Sequence, residues 1–170
     1  MPFTIGIDFG GVLSNHDKST IDAGEHINTI IDMPYAIDAL KTLHNEGHSL
    51  NIVSFCGRRR AYESLQSLAD NNLSCLFTTQ HYVKDRAYKA HICDYIGCHI
   101  MIDDRIDILD NIKTHLPHIH TILFGKQKVY NHHFIHYMAT NWHDVLNIIS
   151  TLSLTNVIPN KTINISQYTH

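Results

Sequence analysis

Nothing in this chain reads as a membrane span, a zinc ribbon or a disulfide scaffold. No apolar run approaches the roughly 18 residues needed to cross a bilayer. The four cysteines, Cys56, Cys75, Cys93 and Cys98, include no C-x-x-C pair, which removes the usual zinc and thiol-redox motifs. No signal sequence precedes the first apolar segment, Phe3 to Ile7. The expected setting is therefore the cytoplasm, with reduced thiols and with no meaning attached to the sequons at Asn160 and Asn164. A surplus of positive charge is missing too. Net charge is −3 with histidine neutral, so bulk charge indicates no nucleic-acid partner. The run Arg58-Arg59-Arg60 is a local exception, read as a solvated helix face.

What is present is a chain of 170 residues, 44% hydrophobic and 17% charged, enough for one globular domain with a real core. Short apolar runs at Phe3–Ile7, Leu50–Phe55, Cys75–Thr78, His99–Ile102 and Thr121–Phe124 read as buried strands. Between them lie segments with helical spacing. One starts at Pro34 and places Ala36, Ile37, Leu40 and Leu43 on a stripe closed by Gly47. Another runs from about Arg59 to Asp70 with Tyr62, Leu65 and Leu68 expected inward. Others cover residues 86–96 and 106–115, and Trp142 opens the last, expected to end near Ile149. Ile27, Ile30 and Ile31 also show helical spacing. Alternation of this kind predicts an α/β three-layer sandwich around a central parallel sheet. Residues 1–150 are expected to form that domain and residues 151–170 a loosely attached tail. Fifteen histidines are present. His132 and His136 have the i, i+4 spacing of zinc ligands on one helix face, but no Glu follows His132, so the cluster with His133 is read as compositional drift.

Polar residues sit just past the carboxyl ends of three strands: Asp8, Ser54 and Asp103-Asp104. That edge is where open α/β sheets bind ligands. A lone carboxylate there usually caps a turn. Three carboxylates together would drive at least one pKa upward unless a cation intervenes. A hard divalent cation with oxygen ligands, Mg²⁺ above all, answers that repulsion. Lys89 offers another positive charge and Ser54 a donor.

The segment Ile5-Gly6-Ile7-Asp8-Phe9-Gly10-Gly11-Val12-Leu13 resembles the first motif of the haloacid dehalogenase superfamily in its D-x-G-G-V-L variant. Ile52-Val53-Ser54 is similar to the second motif, Lys89 to the third and Ile100-Met101-Ile102-Asp103-Asp104 to the fourth, in order from residue 3 to about 125. The resemblance implies a Rossmann-like fold and a Mg²⁺-dependent phosphomonoester hydrolase. Asp8 would be the nucleophile that carries an aspartyl-phosphate. Asp8, Asp103, Asp104 and the Gly10 carbonyl would hold the metal. Ser54 and Lys89, with the Gly10–Gly11 backbone, would bind the phosphate. Lys84 competes with Lys89 for its role, and helical phase together with the spacing to Asp103 favours Lys89.

Two departures from the family pattern shape the expectation. The second aspartate, which protonates the leaving group in typical members, is replaced by Gly10; His16 and Asp17 on the following loop are read as solvated. The other departure is length. Only 46 residues separate Asp8 from Ser54, and 35 separate Ser54 from Lys89, so no cap domain fits and an open site is expected. Its substrate would be a phosphorylated small molecule or macromolecule, or a second subunit would close it in a homo-oligomer. Phe9, Phe55 and Tyr82 stand near the site and are read as packing. The competing reading is a catalytically weak or inactive protein that binds a phosphorylated ligand or partner.

Overall fold

A computed structural model describes residues 1–15, 31–125 and 135–155. Six strands form one sheet: β1 (Thr4–Ile7), β2 (Ser49–Phe55), β3 (Phe77–Val83), β4 (Ile100–Asp103), β5 (His120–Phe124) and β6 (Tyr137–Ala139). Five α-helices accompany them: α1 (Ala36–Asn45), α2 (Arg58–Asp70), α3 (Tyr88–Tyr95), α4 (Ile106–His115) and α5 (Trp142–Thr155). The sheet order is β3-β2-β1-β4-β5-β6, and every pairing is parallel.

Period-2 alternation along the strands divides the core into the two halves of a sandwich. Leu50, Ile52, Ile100, Ile102, Ile122 and Phe124 face one layer, where Leu40, Leu43, Leu68, Trp142, Val145 and Ile149 cover them. Val53, Met101 and Leu123 face the other, beneath Ala90, Cys93, Ile108, Leu109 and Ile112. The predicted three-layer α/β architecture is thus the observed one, and the described residues include no cap domain. No described helix is long and apolar enough to cross a membrane.

The elements depart from expectation in four places. The third strand begins at Phe77, after a 3₁₀ turn at Ser74–Leu76, and runs on to Val83. As the edge strand it tolerates Gln80 and His81, whose polarity hid its length. In α2 the buried face is Ser64, Ser67 and Leu68, while Tyr62 is 69% and Leu65 43% exposed. Small serines let the helix sit close, and the Ser67 hydroxyl accepts the Ile31 N–H at 3.1 Å; a stripe picked by hydrophobicity alone is therefore out of phase. The last helix continues past Ile149 to Thr155, with Leu152 buried. The sixth strand, β6, was not expected. It follows directly on His136, so that histidine opens a strand and not a helix face.

Three histidines have a common structural task. His48 Nδ1 accepts the Phe3 N–H at 2.9 Å, His99 Nδ1 the Thr4 N–H at 3.0 Å, and His136 Nδ1 the Thr121 N–H at 3.3 Å. Each stands just before a strand and pairs a backbone donor of the neighbouring strand that the ladder leaves over. They occupy the edge of the sheet opposite Asp8. His132, His133, His16, Asp17, Ile27, Ile30 and residues 156–170 lie outside the described residues.

Candidate active site

β1 and β4 are neighbours, with Ile7 opposite Ile102. Strand order reverses between them, because β2 and β3 extend to one side of β1 and β4, β5 and β6 to the other. Such a switch point leaves a crevice beyond the carboxyl ends, and the chain places Asp8, Asp103 and Asp104 there. The Asp8 N–H donates to the Ile102 carbonyl at 3.0 Å, which carries the β1–β4 ladder one residue beyond β1 and fixes the nucleophile candidate's backbone.

Lys89 sits at the second position of α3 and is only 1% exposed. Its ammonium lies 3.1 Å from Asp8 Oδ1 and 2.6 Å from Asp103 Oδ2. Burial works to lower its pKa, but Asp8 and Asp103 outweigh burial and hold it well above the ordinary lysine range. The lysine is therefore charged at any physiological pH. Lys84, the competitor, is exposed in the loop before α3 and takes no part in this cluster.

Oδ1 of Asp8 also accepts the Phe9 N–H at 2.8 Å, so two donors orient that carboxylate. Oδ1 of Asp103 accepts the Arg105 N–H at 2.9 Å. Burial pushes the Asp103 carboxyl up to about 7, with Lys89 pulling the other way and Asp8 adding to the rise. Burial, then Asp8, pushes Asp104 up to about 6. Ser54 is buried near the end of β2, two residues beyond Ile52, the register partner of Ile7.

Gly10 and Gly11 follow Asp8 in a tight loop. The Phe9 carbonyl accepts the N–H groups of Leu13 and Ser14 at 2.9 and 3.0 Å, and Gly11 N–H donates to the Ser14 carbonyl at 2.8 Å. Gly11 has φ +77°, and a Cβ there would strike the Asp104 carboxylate. Glycine is thus required twice, by the backbone and by the approach of Asp104. The fully buried Trp142 steadies the loop from outside, its indole N–H donating to the Val12 carbonyl at 2.9 Å. Spacing gave no sign of this tie, which joins residues 130 apart. Phe9 is core, as expected, and Tyr82 is partly buried at the margin of the same core cluster. Phe55 is half-buried, with the Arg86 guanidinium 4.8 Å above its ring.

Asp8, Asp103 and Asp104 each offer a carboxylate oxygen within 4.8 Å of the others. An all-oxygen donor set, with two carboxyls raised by burial and mutual repulsion, fits a hard divalent cation such as Mg²⁺. The raised values fix the sign of a pH effect. Between about 4 and 7 the folded state holds protons on Asp103 and Asp104 that the unfolded chain has released. The cation-free protein therefore loses stability as pH rises through that window. A cation must displace those protons, so it stabilises most above pH 7. Mg²⁺ at about 100 times its Kd is expected to raise Tm by roughly 5–10 °C at pH 8. Less than half of that gain should remain at pH 5.5, as scanning calorimetry would show. An equal gain at both pH values would exclude these carboxylates as the ligands.

No protein-family model matches the sequence, and a search of curated proteins finds no match either. Solved structures do match. A HAD-superfamily hydrolase of Ehrlichia chaffeensis is 16% identical, with a TM-score of 0.61 over 90% of this chain and 99% of its own. An L-2-haloacid dehalogenase is 9% identical, with a TM-score of 0.65 over 88% of this chain and 99% of its own. A HAD-hydrolase of Bacillus subtilis bound to magnesium is 14% identical, with a TM-score of 0.56 over 69% of this chain and 55% of its own. Identities this low speak to fold and to nothing finer. This chain has the fold of these haloacid dehalogenase-superfamily structures.

Proposed function

We propose that the chain is a Mg²⁺-dependent phosphomonoester hydrolase of this superfamily with Asp8 as nucleophile. One observation carries the reading: a buried lysine bridges two carboxylates, Asp8 and Asp103, and a third, Asp104, offers a carboxylate oxygen within 4.8 Å of theirs. The magnesium-bound neighbour of the same fold supports the choice of metal. Asp8, Asp103, Asp104 and the Gly10 carbonyl would hold it. When bound, it would neutralise charge on the phosphate and make phosphorus more electrophilic.

An Asp8 carboxylate oxygen attacks phosphorus. A phosphorus–oxygen bond forms as the ester bond breaks, giving an aspartyl-phosphate and an alkoxide that must gain a proton. Water then attacks the phosphorus and gives a proton to solvent as the bond between phosphorus and the Asp8 oxygen breaks, which releases phosphate and restores Asp8. Lys89 stays charged throughout and, with Ser54, stabilises the non-bridging oxygens. Gly10 brings no acid to the leaving oxygen, and no cap domain stands among the described residues, so solvent supplies the proton. Esters of acidic alcohols should accordingly react much faster than alkyl esters.

The test is turnover of p-nitrophenyl phosphate with and without Mg²⁺, in wild type and Asp8→Asn. Metal-dependent release of nitrophenol is expected, reduced at least about 10³-fold in the variant. Equal, negligible rates in both proteins would favour the second reading, a phosphate-binding protein without turnover, for which Gly10 is the specific observation.

A further inference from the structure

Trp142 is the single tryptophan of the chain, and it is fully buried. A buried indole N–H needs an acceptor. It finds the Val12 carbonyl at 2.9 Å, in the loop that follows Asp8.

The carbonyls of that loop can be accounted for one by one. Phe9 accepts from Leu13 and Ser14, Leu13 from Met33, and Ser14 from Gly11. Val12 takes the indole. Only the Gly10 and Gly11 carbonyls accept from no described residue, and Gly10 is the one expected to reach a cation. Trp142 thus satisfies the single carbonyl that neither the turn nor the cation would use. A buried carbonyl left without a donor is costly. Without the indole, the Val12–Leu13 peptide would gain by rotating toward another donor, and Gly11 and Gly10 would move with it. Gly11 has little freedom to move, because the Asp104 carboxylate fills the space where its Cβ would be.

The indole is itself held from two sides. Its ring packs on Phe124 at the end of β5, with centroids 5.8 Å apart. Trp142 is also the first residue of α5, whose start is capped reciprocally. The Asp144 N–H donates to Asn141 Oδ1 at 3.1 Å, while Asp144 Oδ2 accepts the Thr140 N–H at 2.8 Å and its hydroxyl at 2.7 Å. Such a cap fixes the first turn of a helix, and here it fixes the backbone that carries the indole.

We propose that Trp142 is a positioning residue for the cation: through the Val12 carbonyl it holds the Gly10–Gly11 segment and sets Mg²⁺ affinity without touching the ion. This role rests on the reading of Asp8, Asp103, Asp104 and the Gly10 carbonyl as the cation's ligands.

The experiment measures the Mg²⁺ Kd of the full chain at pH 8 by isothermal calorimetry, in wild type and in two forms without the indole N–H. One is Trp142→Phe. The other keeps the indole's shape: benzothienylalanine, with sulfur in place of the N–H, incorporated at the single tryptophan. Both should bind Mg²⁺ about tenfold or more weakly. Leu152→Ala, which empties a buried position further along the same helix, should destabilise the protein yet keep Kd within about twofold. Wild-type affinity in both forms without the N–H overturns the proposal and leaves the cation site standing. An equal loss in Leu152→Ala overturns it too, since stability alone would then govern affinity. A wild type that binds no Mg²⁺ removes the cation site and the proposal together. A second readout needs no variant, because one indole N–H gives one cross-peak in a ¹⁵N-labelled sample. That cross-peak should shift with Mg²⁺ and saturate at the calorimetric Kd; one that stays in place at saturating Mg²⁺ overturns the coupling.

Discussion

Lys89→Met is expected to cost about 3–5 kcal/mol of stability at neutral pH, because it leaves two buried carboxylates facing each other with no cation between them. Methionine matches the length of the lysine stem, so little of this loss is packing. The charge is what disappears. In the wild type the ammonium sits between Asp8 and Asp103, and its raised pKa keeps that contribution in force up to the alkaline limit of most proteins. Without it, Asp103, already raised to about 7 by burial, takes up a proton more readily still. The variant's deficit should therefore shrink between pH 8 and pH 5, which denaturant melts at the two pH values would show. On the proposed phosphohydrolase reading, turnover should fall about 10²–10³-fold, because Lys89 would no longer donate to the developing phosphate charge. Adding Asp103→Asn removes one of the stranded charges and should recover stability while activity stays lost. If Lys89→Met unfolds at the same denaturant concentration as wild type at pH 8, the buried bridge is not what holds this corner together.

The same lysine shows how far the sequence could be read. Asp8 and Asp103 were visible because each ends a short run of β-branched and apolar residues, and such a run has few fates other than a buried strand. Lys89 was reachable through helical phase and its distance from Asp103. Its burial was not, because nothing local to Tyr88-Lys89-Ala90 marks the lysine as buried rather than solvated. The missed features share a physical cause. β6 is three residues long and takes its stability from pairing with β5, not from its own pattern. The inward face of α2 depends on how closely a serine can approach the sheet, which hydrophobicity does not encode. The Trp142–Val12 tie closes only when α5 docks on the loop after Asp8. Strand ends are written locally, whereas the supports that make them a site are tertiary.

Gly11→Ala separates the two demands that the site makes on its loop. At φ +77° any side chain strains the backbone, which costs about 1 kcal/mol by itself. Gly97 is the natural control, since its φ is +62° and a Cβ there meets nothing within 4 Å. Gly97→Ala should lose only that backbone amount and keep the full response to Mg²⁺. At Gly11 the new Cβ would stand 2.6 Å from Cγ of Asp104 and 3.1 Å from its Cβ, far inside contact distance. Asp104 follows directly on β4 and cannot retreat without disturbing Asp103, so its carboxylate must swing away from Asp8. The expected loss is about 2–4 kcal/mol. The sharper consequence is for the cation: with one of three carboxylates displaced, Mg²⁺ affinity should fall about 10–100-fold. The rise of Tm with Mg²⁺ at pH 8 would then vanish at concentrations that still protect Gly97→Ala. A Gly11→Ala protein that kept that response would mean that Asp104 is not among the metal's ligands, and the acidic cluster would shrink to the pair that Lys89 already bridges.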